Sequence, residues 1–245
     1  MNEQNNGVNL LKGGQLYYDT PVGVLCLESL FPKPVGHLRN PRTFDFPVVC
    51  SVVTGVDIPR LLFNPAPELV QPFIDAAKQL EKDGVMAITG SCGFLARYQS
   101  LIAEQVNVPV FMSSLVQMPL VKIFHGKDAK IGVLTASASA LTQAHFESTG
   151  YSIKDVAVKG MEGYPEFWET IIEGKRHDFD MGKLESEICC AAKELAGENN
   201  LDALILECTD LSAFSRSIQK AVNLPVYDIN SLAEYAAFAV ERRGY

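Results

Sequence analysis

The sequence predicts an α/β protein of two pseudo-symmetric lobes, each a parallel sheet with helices on both faces, with the active site in the cleft between them. Three observations carry this expectation. Short apolar runs of strand character alternate with segments of helical periodicity along most of the chain, the pattern of strand–helix–strand units. The pattern occurs twice, because an AAK-x-L helix segment, at 76–80 and again at 191–195, leads into a buried strand and then a cysteine, Cys92 or Cys208. In each half the cysteine stands 17 residues before a proline, Pro109 or Pro225, set inside another apolar strand.

The elements follow in order. PVGVLCLES, residues 21–29, is a buried strand, and the Pro-rich stretch 29–47 after it is too long for a minimal connection, so it is read as a loop able to cover the cleft. From Asn64, a cap before Pro65, the residues Leu69, Val70, Phe73, Ile74, Ala77 and Leu80 recur at helical spacing until Asp83-Gly84. VMAIT is the next strand, FLARYQSLIAEQ a helix behind Cys92, and VNVPVF a further strand. The second half opens with AKIGVLTAS at 129–137. It continues through a segment at 161–179 that carries the single Trp and could line the site. A helix with Leu184, Ile188, Ala191, Ala192 and Leu195 on one face follows, then the strand LDALILE, the helical TDLSAFSRSIQKA and the strand VNLPVYDI. The lobes are placed at 1–117 and 118–230, with a C-terminal helix at 231–245 packing back on the first.

Composition limits the partners. A chain of 245 residues with 47% hydrophobic content can bury a large core, and 21 basic against 29 acidic residues, a net charge of −8, leaves no cationic track for nucleic acid. The N-terminus lacks the basic start and apolar core of a signal peptide, and no segment is apolar enough to span a bilayer, so a cytoplasmic protein with no membrane partner is expected. The six cysteines form no C-x-x-C pair and have no neighbouring His, which argues against a structural metal or a disulfide framework. No metal and no cofactor are expected, since G-x-G-x-x-G and P-loop patterns are also missing. Cys26, Cys50, Cys189 and Cys190 are read as packing residues.

Cys92 and Cys208 are read differently, because their shared register puts both at C-terminal strand ends, where ligands of parallel sheets gather. A helix N-terminus behind each would lower its thiol pKa. Two thiols facing one carbon could act as base and acid on its opposite faces. Donors for the developing negative charge are the backbone N–H groups of Gly93, Phe94, Thr209 and Asp210 and the hydroxyls of Ser91, Thr135, Ser137 and Thr209. Asn40, Arg42 and His37 of the long loop are candidates for orienting an anionic substrate.

With PVGVLCLES, GSCGF, GVLTAS and ECTD in place, the chain resembles the aspartate/glutamate racemase superfamily over nearly its whole length. The resemblance implies a cofactor-independent racemase or epimerase of a small carboxylate-bearing substrate, with Cys92 and Cys208 as the acid/base pair. It further implies Thr135 and Ser137 at the substrate carboxylate, Thr209 beside the second thiol, and a homodimer. Cys92-Gly93-Phe94 departs from the Cys-Asn-Thr of amino-acid racemases. Cys208-Thr209-Asp210 is closer to the Cys-Thr-Glu of aspartate racemases than to Cys-Thr-His, and Asp210 is a candidate to assist proton transfer. Hydantoin racemase, maleate-type isomerase and arylmalonate-type decarboxylase activities stay open within the superfamily. A non-catalytic small-molecule binding protein stands as the reading from another class.

Overall fold

A computed structural model describes residues 12–242. Residues 1–11, and the last three positions of the helix expected at 231–245, lie outside the described residues. Two four-stranded sheets, parallel throughout, repeat one topology: strand order β2-β1-β3-β4 in the first and β6-β5-β7-β8 in the second. The inner strands are β1 (Val22–Glu28) and β3 (Ala87–Gly90) in one sheet, β5 (Ile131–Leu134) and β7 (Ala203–Leu206) in the other. Of these residues only Glu28 is not buried, as expected for parallel strands covered on both faces.

The outer strands β4 (Val110–Phe111) and β8 (Val226–Tyr227) carry the matched prolines just ahead of them. The other outer strands, β2 (Val48–Asp57) and β6 (Val156–Lys159), were not anticipated. β2 is an edge strand with most residues exposed or half-buried, so its sequence lacks the continuous apolar run that marks its neighbours.

Helix α1 (Ile58–Phe63) follows β2, and α2 (Val70–Asp83) buries Phe73, Ile74, Ala77 and Leu80 before Gly84 ends it at φ 109°, where an L side chain would be strained. The stretch 29–47 is a loop between β1 and β2. Behind Cys92 the expected α-helix is replaced by a 3₁₀ turn, Gly93–Tyr98, leading into the short α3 (Gln99–Ala103). Helix α4 (Met118–His125) links the sheets. In the second half α5 (Pro165–Phe167) runs directly into a π-helical turn, Trp168–Ile172. Helix α6 (Met181–Asn199) buries the five residues read from its periodicity. Behind Cys208 the same substitution recurs: a 3₁₀ turn, Thr209–Phe214, precedes α7 (Ser215–Val222).

The period-two alternation of β1 divides the core. Leu25 and Leu27 join the main cluster, which runs without interruption through both sheets, while Val22, Val24 and Cys26 face the other way. There they meet Ile229, Leu232, Ala233, Ala236 and Ala237 of α8 (Ile229–Val240). Each large apolar side chain fully buried there contributes roughly 2 kcal/mol. α8 is therefore fixed on the outer face of the first sheet. Among the described residues, no helix is long and apolar enough to cross a membrane.

Candidate functional site between the sheets

The repeated topology brings the turns after β3 and β7 together. Each cysteine is the extended residue immediately before its 3₁₀ turn, Cys92 at φ −145° and Cys208 at φ −74°. The turns are tied across the lobes by the Thr209 hydroxyl, which donates to the Ser91 carbonyl at 2.5 Å. Ser91 in turn accepts from the Leu27 N–H at 3.3 Å, so β1 is drawn to the same point.

Neither thiol is activated by a helix in this state, contrary to the expectation from sequence. Burial first, then the carboxyls of Glu207 and Asp210, push Cys92 well above an ordinary thiol, against the opposing hydrogen bond from the Phe94 backbone. Burial also pushes Cys208 well above that value, with Asp210, Glu207 and Cys92 adding to the effect. A 3₁₀ turn of six residues offers less aligned dipole than the α-helix expected there.

The two cysteines nevertheless differ. The Cys208 thiol faces a carboxylate, Asp210 Oδ2, at 3.7 Å. The other oxygen of that carboxylate accepts from His37 Nε2 at 2.9 Å. The Arg39 backbone N–H donates to His37 Nδ1 at 2.9 Å, which leaves Nε2 as the donor toward Asp210. Burial works against the Asp210 charge, but His37 and Lys33 outweigh it and hold the carboxyl below its ordinary range. Lys33 is itself lowered to about 8, chiefly by burial. Among the described residues, Cys92 has no side-chain hydrogen bond of this kind.

Glu207 was missed by sequence reasoning. It is fully buried one residue before Cys208, with Oε2 accepting from the Thr135 hydroxyl at 2.6 Å and Oε1 without a partner. Burial, reinforced by Asp210, raises its pKa to about 8, so it carries a proton at neutral pH. Glu207 also accounts for Gly93. A Cβ there would stand 1.9 Å from the Glu207 carbonyl oxygen and 2.4 Å from Oε1. The Cys-Gly-Phe and Glu-Cys-Thr-Asp sequences are thus complementary halves of one contact.

The other candidates are distributed as follows. Ser91, Cys92 and Asp210 line a small cavity together with Ser29, Lys33, His37 and Arg39. Thr135, Ser137 and Thr209 are fully buried and already committed: Thr135 to Glu207, Ser137 to Glu162 at 2.8 Å, Thr209 to Ser91. Phe94 is buried edge-on against His145 at 5.0 Å between ring centres. Asn40 shapes the loop by donating to the Lys33 carbonyl at 2.6 Å, and Arg42 is exposed; neither reaches the cavity. Of the three loop candidates, His37 is the one that does, beside Lys33 and Arg39 of the same loop. The 161–179 segment contributes Ile171 and Ile172 from its π-helical turn, while Trp168 packs against Phe63. Of the cysteines read as packing residues, Cys26 is buried but Cys50 and Cys190 are exposed. Among the described residues, no cluster of three or more His, Cys, Asp or Glu is placed to hold a metal ion.

The inner cavity measures only about 20 Å³, the room of a single water. Next to it lies an outer cavity of about 380 Å³, and the two share Ser29, Phe31, Ile58, Ile171 and Ile172 as a common wall. The site is therefore described in a closed state, with an outer chamber in front of it.

No family model matches the chain. Seven curated proteins do, each named a dimethylsulfoniopropionate lyase. Dimethylsulfoniopropionate lyase 3 of Emiliania huxleyi (strain CCMP1516) is 32% identical over 218 residues, covering 84% of this chain and 56% of the relative. The dimethylsulfoniopropionate lyase of Durusdinium sp. clade D is 29% identical over 227 residues, covering 87% and 73%. The chain thus spans little more than half the length of the first of these. These names correct the racemase expected from the sequence, and with it the isomerase class, because the relatives at about 30% identity are lyases.

The resemblance had pointed to the fold rather than to the reaction. Among solved structures, glutamate racemase from Francisella tularensis subsp. tularensis SCHU S4 in complex with D-glutamate aligns with a TM-score of 0.55 at 19% identity, over 90% of this chain and 80% of that one. Unliganded arylmalonate decarboxylase aligns at 0.53 and 16%, over 92% and 94%. Two parallel sheets of matching order, with a cysteine after the third strand of each, give this chain the fold of the aspartate/glutamate racemase superfamily.

Proposed function

We propose that the chain is a lyase that removes a proton next to the carboxylate of a sulfonium carboxylate such as dimethylsulfoniopropionate and expels the thioether. The observation that carries this reading is the inequality of the two thiols. The Cys208 thiol is hydrogen-bonded to a carboxylate 3.7 Å away that His37 holds in place, whereas Cys92, among the described residues, makes no side-chain hydrogen bond to one. An elimination of this type needs one base. The sulfonium leaves as a neutral sulfide, so its departure calls for no proton donor.

In the proposed step the Cys208 proton passes by way of Asp210 to water, and the resulting thiolate takes the proton from the carbon beside the substrate carboxylate. The electrons of that C–H bond form the new C=C bond, and the C–S bond breaks with its electron pair going to sulfur. Acrylate and dimethyl sulfide result, and the proton rests on the Cys208 sulfur before release to water. Carbanion character beside a carboxylate is costly, and the cations that line the cavity, Lys33 and Arg39, supply the opposing charge. The high resting pKa of Cys208 suits a base that must be strong once formed.

Headspace measurement of dimethyl sulfide from dimethylsulfoniopropionate tests the reading. Wild-type protein is expected to release it, Cys208→Ala to lose at least about 10³-fold in rate, and Asp210→Asn about 10²-fold or more. Cys92→Ala retains more activity than Cys208→Ala. No release by the wild type, or equal losses in the two cysteine variants, would overturn the one-base elimination.

A further inference from the structure

Phe31 stands in the wall shared by the inner and outer cavities, and a cation already occupies its ring. The Lys33 ammonium lies 3.1 Å from the ring centroid while donating to the Phe31 carbonyl at 2.7 Å. Ile58, Ile171 and Ile172 are the apolar residues that share this wall with Phe31. The balance of charge differs on the two sides of the wall. The outer cavity is lined by Glu28, Asp57 and Glu173 and, among the described residues, by no Lys or Arg; the inner one is lined by two cations, Lys33 and Arg39, against the single carboxylate of Asp210.

We propose that the Phe31 ring is the seat for the onium end of the substrate, and that Lys33 occupies it in the free protein and moves to the substrate carboxylate when the onium group arrives. This rests on the sulfonium-carboxylate reading above. An aromatic face attracts a cation through its quadrupole, most strongly where water is excluded, and S-methyl groups meet an isoleucine wall without losing hydrogen bonds. One ring face cannot hold two cations. The displaced ammonium meets the carboxylate the substrate brings with it, in the cavity it already shares with Asp210.

The arrangement also sets the direction of binding. The carboxylate points inward to Lys33 and Arg39, which places the neighbouring carbon on the side of Cys92 and Asp210, with Cys208 hydrogen-bonded to Asp210 behind them. The C–S bond then points outward, so the neutral sulfide leaves through the outer cavity. A simple dianion lacks a group for the Phe31 seat and meets three carboxylates at the mouth. The same features therefore select a zwitterion over a dicarboxylate.

The test compares two ligands of nearly equal shape, dimethylsulfoniopropionate and 4-methylpentanoate, in which CH replaces S⁺. Both are titrated calorimetrically against the Cys208→Ala protein, which prevents turnover. The onium ligand is expected to bind at least about tenfold more tightly. Adding Phe31→Leu brings that ratio close to one while changing 4-methylpentanoate affinity less than about twofold, and Phe31→Tyr restores it. Lys33→Gln weakens both ligands alike. Thermal melts of each variant confirm that the fold is intact, and the tyrosine variant keeps the test decisive if the leucine variant melts early.

A preference that survives Phe31→Leu overturns the seat, even if wild-type protein cleaves dimethylsulfoniopropionate. A Phe31-dependent preference in a protein whose wild type releases no dimethyl sulfide leaves the seat standing and overturns the lyase reading. Failure of both ligands to bind overturns both.

Discussion

At the scale of single residues, the contact between Gly93 and Glu207 is the most sharply constrained feature of the site. A Cβ at Gly93 would meet a backbone oxygen at 1.9 Å, and a backbone oxygen cannot swing aside as a side chain can. Gly93→Ala is therefore expected to cost about 3 kcal/mol or more in a denaturant melt. Glu207 makes a separate prediction through its proton. In the folded protein the carboxyl holds that proton up to about pH 8, whereas in the unfolded chain it is lost near an ordinary carboxylate value of about 4.3. Between these limits the folded state binds more protons, so stability falls as pH rises, by up to about 1.4 kcal/mol per pH unit. Glu207→Gln cannot ionise, and urea unfolding from pH 5 to 8 should show a flatter slope than wild type. Equal slopes would mean that Glu207 is ionised in the folded protein.

Of these residues, the cysteines were legible because duplication put them in register. Glu207 was not, because a single acidic residue at the end of a strand carries no periodic signal and its burial depends on a contact from the other half of the chain. Asn40 and Arg42 were named from the same loop as His37. Only the folded course of that loop decides which of its polar residues meets Asp210.

At the scale of elements, the inner strands and the longer helices were readable because each is buried by its own periodicity. The 3₁₀ turns behind the cysteines were read as α-helix, since FLARY and TDLSAF present apolar residues at spacings either helix type can bury. The π-helical turn Trp168–Ile172 had no local sign at all, and π turns often mark functional sites.

That turn is held from both ends. Glu187 of α6 accepts from the Glu166 and Phe167 N–H groups at 3.0 Å each, satisfying the start of α5. Arg176 binds both oxygens of Glu166, at 3.0 and 2.9 Å, and the Asp180 N–H donates to the same carboxylate at 2.6 Å. Arg176→Ala removes a bidentate pair and is expected to lower the midpoint of a thermal melt. Because the pair braces the segment that carries Ile171 and Ile172, the variant should also raise KM for dimethylsulfoniopropionate while kcat stays within about twofold. Amide exchange across 168–172 should rise in parallel. An unchanged KM with faster exchange would separate the brace from substrate binding.

At the scale of the whole molecule, the closed inner cavity requires a way in, and the contacts between the sheets indicate which part yields. A sulfonium carboxylate is several times larger than the single water that the inner cavity of about 20 Å³ could hold. The main apolar cluster is continuous through both sheets. The lobes are also pinned by buried hydroxyls, Thr209 to the Ser91 carbonyl and Ser114 to the Leu206 carbonyl at 2.6 Å. Hinging the lobes apart would break these bonds and expose that cluster, whereas moving loop 29–47 with the Trp168–Ile172 turn breaks the His37–Asp210 and Asn230–Gly36 bonds and uncovers Phe31, Leu38, Ile171 and Ile172 but leaves the rest of that cluster packed. Thr209→Val separates the two routes. It leaves the Ser91 carbonyl without its donor and should lower stability by about 1–3 kcal/mol. If the lobes are a fixed frame, amide exchange in loop 29–47 keeps its wild-type rate in this variant, and the loop alone gains protection when dimethylsulfoniopropionate is added to Cys208→Ala protein. Faster loop exchange in Thr209→Val, with matching changes at the ends of β3 and β7, would instead show that the cleft opens by hinging.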